Sequence, residues 1–131
     1  ISPNGDLIAY VSDEDDRDEV YVQAYPQGDI KIASNGGGEE PQWSTDGREL
    51  FFTQGDRFLS VTISLEDGIR ISAPEELFVK AFEKGSTNSY SRPYYDVSQD
   101  GRFLMLADRS TTEFQVIVNW FEELKRLVPK D

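Results

Sequence analysis

The 131-residue sequence contains no cysteine and no histidine. Without cysteine a disulfide scaffold and a thiolate metal site are excluded, and without histidine the commonest metal ligand and general base are also missing. The serines lack both a nucleophile elbow and a histidine to activate them. We therefore expect no cofactor, no metal centre and no enzyme activity, with paired carboxylates as the one catalytic alternative.

The sequence is also short of basic residues and of long apolar runs. Its 13 lysines and arginines face 25 aspartates and glutamates, which gives a net charge of −12. Such a surface repels phosphate backbones, so we expect no nucleic-acid partner. No apolar run approaches the roughly 18 residues that would indicate a membrane span. The sequence thus predicts a soluble chain, and its 37% hydrophobic content suffices for one packed domain over 1–131.

A short polar turn recurs three times and organises the chain. Residues 2–5, 44–47 and 98–101 are Ser-Pro-Asn-Gly, Ser-Thr-Asp-Gly and Ser-Gln-Asp-Gly, and each turn precedes an apolar run typical of a strand. Gly5 and Gly47 are 42 residues apart, close to the roughly 40 to 45 residues of a four-stranded propeller blade. Gly47 and Gly101 are 54 apart, and the polar segment 83–89 accounts for the surplus as a loop insertion.

The pattern predicts an all-β fold, a partial β-propeller of about three antiparallel blades with a short C-terminal α-helix. The blade units cover about 1–35, 36–80 and 88–119. The middle unit has four predicted strands, at 40–43, 49–53, 58–63 and 69–71, and residues 73–79 are expected to lead back toward the centre for the third unit. The first unit lacks an inner strand and the last lacks an outer one, so both are incomplete.

The chain ends on a predicted amphipathic helix over about 120–127. Apolar residues recur there at helical spacing, with acids early, bases late and Pro129 beyond. We expect the helix to pack on the last blade or in a dimer interface through Trp120, Phe121, Leu124 and Leu127.

The three turns, each followed by a charged residue and an apolar strand, resemble the WD-repeat-like propeller repeat of TolB-type proteins. Residues 118–124, Val-Asn-Trp-Phe-Glu-Glu-Leu, look like the closing segment of bacterial propellers. The resemblance implies a C-terminal fragment of a bacterial propeller, cytoplasmic or periplasmic, from a family whose closed rings act as platforms for proteins or ligands. It implies a non-catalytic binding or scaffolding module. The alternative is an accessory propeller of a larger enzyme, a prolyl-peptidase-like hydrolase or a bacterial serine/threonine kinase.

Because a stack of two or three blades leaves apolar faces and strand edges open at both ends, we expect a homodimer that closes a ring of about six blades. The alternative is a monomer whose helix and loops cap the ends.

Candidate ligand residues cluster at the start of the predicted inner strand of the third unit. An arginine lies among tyrosines there, which suits an anionic or peptide ligand. The alternative is aromatic packing between blades, and it applies equally to the tryptophan of the middle unit. The candidates, which would face a ligand or the pore of the ring, are Tyr90, Arg92, Tyr94, Tyr95 and Trp43.

Two further segments have competing interpretations. The acidic run 13–19 supplies oxygen ligands suited to calcium, but it lacks the order of an EF-hand, and a solvated hairpin loop is the alternative. Residues 35–38, Asn-Gly-Gly-Gly, lack the lysine of a phosphate-binding loop, so we interpret them as a flexible link between blades.

Overall fold

The computed structural model describes residues 1–79, 95–105 and 116–117, which form eleven β-strands and no helix. The all-β class is therefore confirmed, whereas the predicted helix over 120–127 lies outside the described residues. Across the described ranges, no helix is long and apolar enough to cross a membrane. The strands are β1 (Leu7–Ser12), β2 (Glu19–Ala24), β3 (Ile30–Ile32), β4 (Glu39–Trp43), β5 (Glu49–Gln54), β6 (Arg57–Ser64), β7 (Arg70–Ile71), β8 (Glu75–Val79), β9 (Tyr95–Val97), β10 (Phe103–Met105) and β11 (Val116–Ile117).

These strands form three antiparallel sheets. The first has the order β1-β2-β3, the second β4-β5-β6-β7 and the third β9-β10-β11. The prediction that 73–79 leads back toward the centre is wrong, because β8 instead pairs with β6 beside β7. Its Leu77 is 5% exposed, so the burial of this side chain holds the segment on the second sheet.

The sheets pack face to face around two apolar clusters, and the second sheet lies between the other two. The first cluster joins the first and second sheets, and the second cluster joins the second and third sheets. Adjacent residues of β5 point to opposite sides, since Phe52 belongs to the first cluster and Phe51 to the second. Both faces of β5 are thus buried, which explains its continuous apolar run, Leu-Phe-Phe.

Successive sheets are stacked in the same orientation. We call the face of a sheet that points along the stack, from the first sheet toward the third, its forward face, and the opposite face its rearward face. Ala9 of β1 packs on the first cluster, toward the second sheet, and Phe51, 42 positions later, packs on the second cluster, toward the third sheet. The rearward faces correspond in the same way: Leu50 and Phe52 of β5 contact the first sheet, and Phe103 of β10 contacts the second. The strand register confirms that Phe103 corresponds to Leu50. Phe103 pairs with Val97 across the third turn, and Leu50 pairs with Trp43 across the second.

All three repeated turns are closed by the same hydrogen bonds. In each, the glycine N–H donates to the serine carbonyl, and the serine Oγ accepts a backbone N–H at the start of the next strand. Gly5, Gly47 and Gly101 have φ angles of 83°, 71° and 76°, a left-handed region that side chains disfavour, so glycine is required there. The first two turns are neighbours, because a Cβ added at Gly47 would lie 3.3 Å from Pro3 Cδ.

The third turn is one residue shorter than the other two. Ser98 N–H donates to the carbonyl of Arg102, four residues on, whereas Ser44 N–H donates to that of Glu49, five residues on. The strand after the third turn therefore begins one position earlier relative to its glycine. This shift places Phe103, rather than Leu104, at the position that Leu50 occupies in the second sheet.

Candidate binding groove between two repeated turns

Tyr95 is a buried link between the second and third sheets. It is 3% exposed, and its ring packs edge-on against Phe58 with the centroids 4.8 Å apart. Its hydroxyl donates toward two carbonyl oxygens, of Glu40 at 2.6 Å and of Phe51 at 3.1 Å. Burial, reinforced by the Glu40 carboxylate, holds the pKa of Tyr95 well above its usual 10.0. Of the two interpretations of Tyr95, packing between sheets is therefore the one that describes its position.

We expect Tyr95→Phe to lower the free energy of unfolding by about 1 to 3 kcal/mol, because it removes the donor shared by one buried and one partly buried carbonyl and keeps the ring packing. Urea denaturation followed by tryptophan fluorescence measures the change. Tyr25→Phe is the matched control, since Tyr25 is 58% exposed, and it is expected to cost less than about 0.5 kcal/mol. Equal effects of the two substitutions would contradict the role of the Tyr95 hydroxyl.

Trp43 occupies the last position of β4, where it packs partly buried against the first cluster. Among the described residues, its Nε1 is the one buried side-chain polar atom without a hydrogen-bond partner. The other three candidates, Tyr90, Arg92 and Tyr94, lie outside the described residues. The structure therefore describes only Tyr95 and Trp43 of the five, and both lie against apolar clusters.

The acidic run 13–19 ends in a buried carboxylate rather than an open cluster. Glu19 is 3% exposed, and its Oε1 accepts hydrogen bonds from Arg17 Nε at 2.8 Å and from Gly37 N at 3.0 Å. Its Oε2 accepts a short hydrogen bond from Ser34 Oγ. Within the described ranges, no group of three or more acidic residues is placed to hold a metal ion.

The glycine run joins the first sheet to the second, as predicted, and its last two residues pack against the first sheet. Gly37 donates to Glu19, and Gly38 N–H donates to the carbonyl of Asp18 at 2.9 Å. A Cβ on Gly38 would lie 2.8 Å from Ser34 Cβ and 2.9 Å from a Val20 methyl carbon. This segment needs small residues because it passes close to the first sheet.

A groove of ≈ 240 Å³ lies between the second and third repeated turns. Its apolar floor consists of side chains from both sheets: Phe51, Leu77, Val97 and Phe103. Its polar rim is formed by the two turns and the start of β5: Ser44, Thr45, Asp46, Glu49, Ser98, Gln99 and Gly101. Since the two turns come from successive repeats, the stacking of the sheets itself creates the groove.

Two carboxylates line the groove, and their environments differ. The backbone N–H of Arg48 and the hydroxyl of Ser44 donate to Asp46 Oδ1 at 3.1 and 2.7 Å. These bonds, with the charge of Arg48, lower the pKa of Asp46 although burial opposes them. Burial raises the pKa of Glu49, and the charges of Asp46 and Glu75 raise it further. Glu49 is therefore a partly desolvated carboxylate surrounded by negative charge.

The groove can hold a small ligand group that is apolar on one side and positively charged on the other. Among the residues described, no basic side chain lines it. The position of Glu49 in the sequence does not indicate this site, because Glu49 follows a turn, where a charged residue is ordinary. The available signal was the repeat itself, since Leu7 holds the corresponding place 42 residues earlier.

Compared with known proteins, the chain matches no family model and no curated protein sequence.

Proposed function

We propose that this chain is a non-catalytic binding or scaffolding module built from propeller-type repeats, in which two copies complete one ring. The observation that supports the proposal is the one-directional stacking of the three sheets. As far as residues 1–79, 95–105 and 116–117 describe it, this stack has a rearward face at its first sheet and a forward face at its last that no other sheet covers. Head-to-tail contacts between such faces generate rings when the rotation between copies closes.

The rearward face of the first sheet has the composition of a contact surface. Ile30 and Ile32 are 52% and 48% exposed. Ile32 of β3 pairs with Tyr21 of β2, and Tyr21 pairs with Tyr10 of β1. The rings of Tyr21 and Tyr10 are stacked. In the second sheet the corresponding face is covered by its predecessor. By the same correspondence, the partner of this face is the forward face of the third sheet, where Leu104 is 52% exposed.

Two copies of three sheets would give a ring of six, within the range of about four to eight blades found in closed propellers. The ring would contain two identical junctions, each joining the third sheet of one copy to the first sheet of the other. It would leave no exposed sheet face at either junction, which removes the exposed apolar surface. Such a ring presents its repeated turns along one side as a binding platform.

The solution mass tests this assembly. We expect light scattering at micromolar concentration to give twice the chain mass of 14.9 kDa. The substitution Ile32→Glu is expected to reduce the mass to that of one chain, because it buries an unpaired charge in the junction. The matched control is Leu65→Glu, at an apolar residue that is 44% exposed outside the strands, and it should leave the mass doubled. A single-chain mass for the unmodified protein would refute the assembly.

A further inference from the structure

The groove lies where the second repeat has a glutamate and the first repeat has a leucine. Leu7 is 2% exposed and belongs to the cluster between the first and second sheets. Glu49 holds the corresponding position at the junction of the second and third sheets. Its backbone N–H donates to the Oγ of the turn serine, as the N–H of Leu7 does in the first repeat. An apolar side chain thus fills the first junction, whereas a carboxylate lines a groove at the second.

A charged residue is less favourable for folding than the core leucine that holds the corresponding position of the first repeat. Burial and two neighbouring carboxylates disfavour the charge on Glu49, and leucine would relieve this cost by filling the groove. The third repeat carries Arg102 at this position, so among the three repeats only Glu49 brings a negative charge there. Two acidic side chains of the groove replace uncharged residues of the first repeat, with Asp46 where Asn4 stands and Glu49 where Leu7 stands. The adjoining floor of Phe51 and Phe103 is apolar.

We propose that the groove binds an arginine or lysine side chain of a peptide, with Glu49 as the partner of its charge and an adjacent apolar residue on the phenylalanine floor. Charge complementarity supports a cation, because Asp46 and Glu49 are the charged side chains among the described residues that line the groove. The guanidinium of Arg48 acts on Asp46, which leaves Glu49 as the principal carboxylate for the ligand. The forked donors of arginine suit such a carboxylate.

The size of the groove favours a peptide side chain over a larger ligand. Its ≈ 240 Å³ is below the roughly 300 to 1,000 Å³ of pockets that enclose drug-sized molecules. It corresponds to about eight water molecules at ~30 Å³ each, which is room for one or two side chains. This inference depends on the binding function proposed above, and it specifies the ligand without requiring the dimer.

Isothermal titration calorimetry with a capped pentapeptide, in which one arginine is flanked by leucines and then glycines, tests the inference. A second peptide with citrulline in place of arginine has nearly the same shape without the charge. We expect the arginine peptide to bind at least about tenfold more tightly than the citrulline peptide, since one charge-assisted contact is worth about that factor. Equal affinities, or no binding of the arginine peptide, would overturn the inference.

Two substitutions at Glu49 locate the site. Glu49→Gln is expected to weaken the arginine peptide about tenfold. Glu49→Leu is expected to abolish binding and to raise the melting temperature, because it restores the packing that Leu7 provides at the first junction. The control Glu66→Gln removes the same charge from an exposed residue outside the strands. Equal weakening by Glu49→Gln and Glu66→Gln would show only general attraction to an acidic chain, and would overturn the inference.

The solution mass of the same samples separates the two proposals. A doubled mass without peptide binding would overturn the groove and leave the assembly standing. Peptide binding that depends on Glu49 in a single-chain protein would refute the ring and support the groove.

Discussion

Phe58→Ala is expected to lower the free energy of unfolding by about 3 to 5 kcal/mol, the cost of removing a large aromatic side chain from a packed core. Phe58 is fully buried at the centre of the second cluster. Its ring lies 4.8 Å from those of Phe78 and Tyr95 and 4.9 Å from that of Phe103, measured between centroids. The cavity would therefore separate side chains of both the second and the third sheets.

Urea denaturation of the wild type and the variant measures this loss. Since domains of this kind are stable by only about 5 to 15 kcal/mol, we expect a large fall in the denaturation midpoint. Phe58→Leu should lie between the two, because it retains part of the buried volume. Leu65→Ala is the control, at an apolar residue that is 44% exposed. A loss below about 1 kcal/mol for Phe58→Ala would mean that the third sheet does not pack on the second.

Glu19→Gln is expected to cost about 2 to 4 kcal/mol, because a neutral amide replaces a buried carboxylate that accepts hydrogen bonds from three groups. The donors come from three segments: the side chain of Arg17, the hydroxyl of Ser34 and the backbone N–H of Gly37. Glutamine has one acceptor oxygen, and its NH₂ would face a donor in place of the other. Ser34 Oγ also accepts the N–H of Val20 at 2.8 Å, so the disturbance would extend to the next residue of β2.

The control is Glu14→Gln, an exposed residue of the same acidic run, which is expected to cost less than about 0.5 kcal/mol. Comparison of the two variants separates the buried carboxylate from the general effect of reducing the negative charge. A similar small effect of both would show that Glu19 is solvated in solution, contrary to its 3% exposure.

The stabilising effect of Glu19 is expected to depend on pH with a defined sign. Burial raises the pKa of Glu19, but hydrogen bonds from Ser34, Gly37 and Arg17 outweigh it and lower the pKa below its usual 4.5. The unfolded chain therefore takes up the proton first as the pH falls. The stability contributed by the ionised group is complete above pH 4.5 and is lost as the pH falls through the lower pKa of the folded state. The difference in unfolding free energy between wild type and Glu19→Gln should shrink over that range, and a difference that grows would contradict the assignment.

The repeated turns and most strands were predictable because their signals are local. A serine three residues before a glycine forms the turn, and the adjacent apolar run forms the strand, so Ser44 and Gly47 suffice to locate β5. The position of β8 was not predictable in this way. Its sequence, Glu-Glu-Leu-Phe-Val, indicates a strand but not its neighbour, and the pairing with β6 is decided by the burial of Leu77.

The roles of Glu19 and Glu49 depend on distant contacts, so their positions in the sequence do not reveal them. Glu19 follows six charged residues and is distinguished only by Ser34 and Gly37, which are 15 and 18 residues away. Glu49 is distinguished by its place on the face of β5 toward the third sheet. That face can be identified only when the stacking direction of the sheets is known. Tyr95, proposed as a ligand residue, is buried through its contact with Phe58 in another sheet.

The shorter third turn shows that these hairpins accommodate a difference of one residue in turn length without a change of strand register. Ser98 N–H donates to a carbonyl four residues on and Ser44 N–H to one five residues on, yet Phe103 pairs with Val97 as Leu50 pairs with Trp43. One residue added between Ser98 and Arg102 would give the third turn the length of the second. The extra residue would lie in the turn, so Phe103 and Met105 would keep their places in the second cluster.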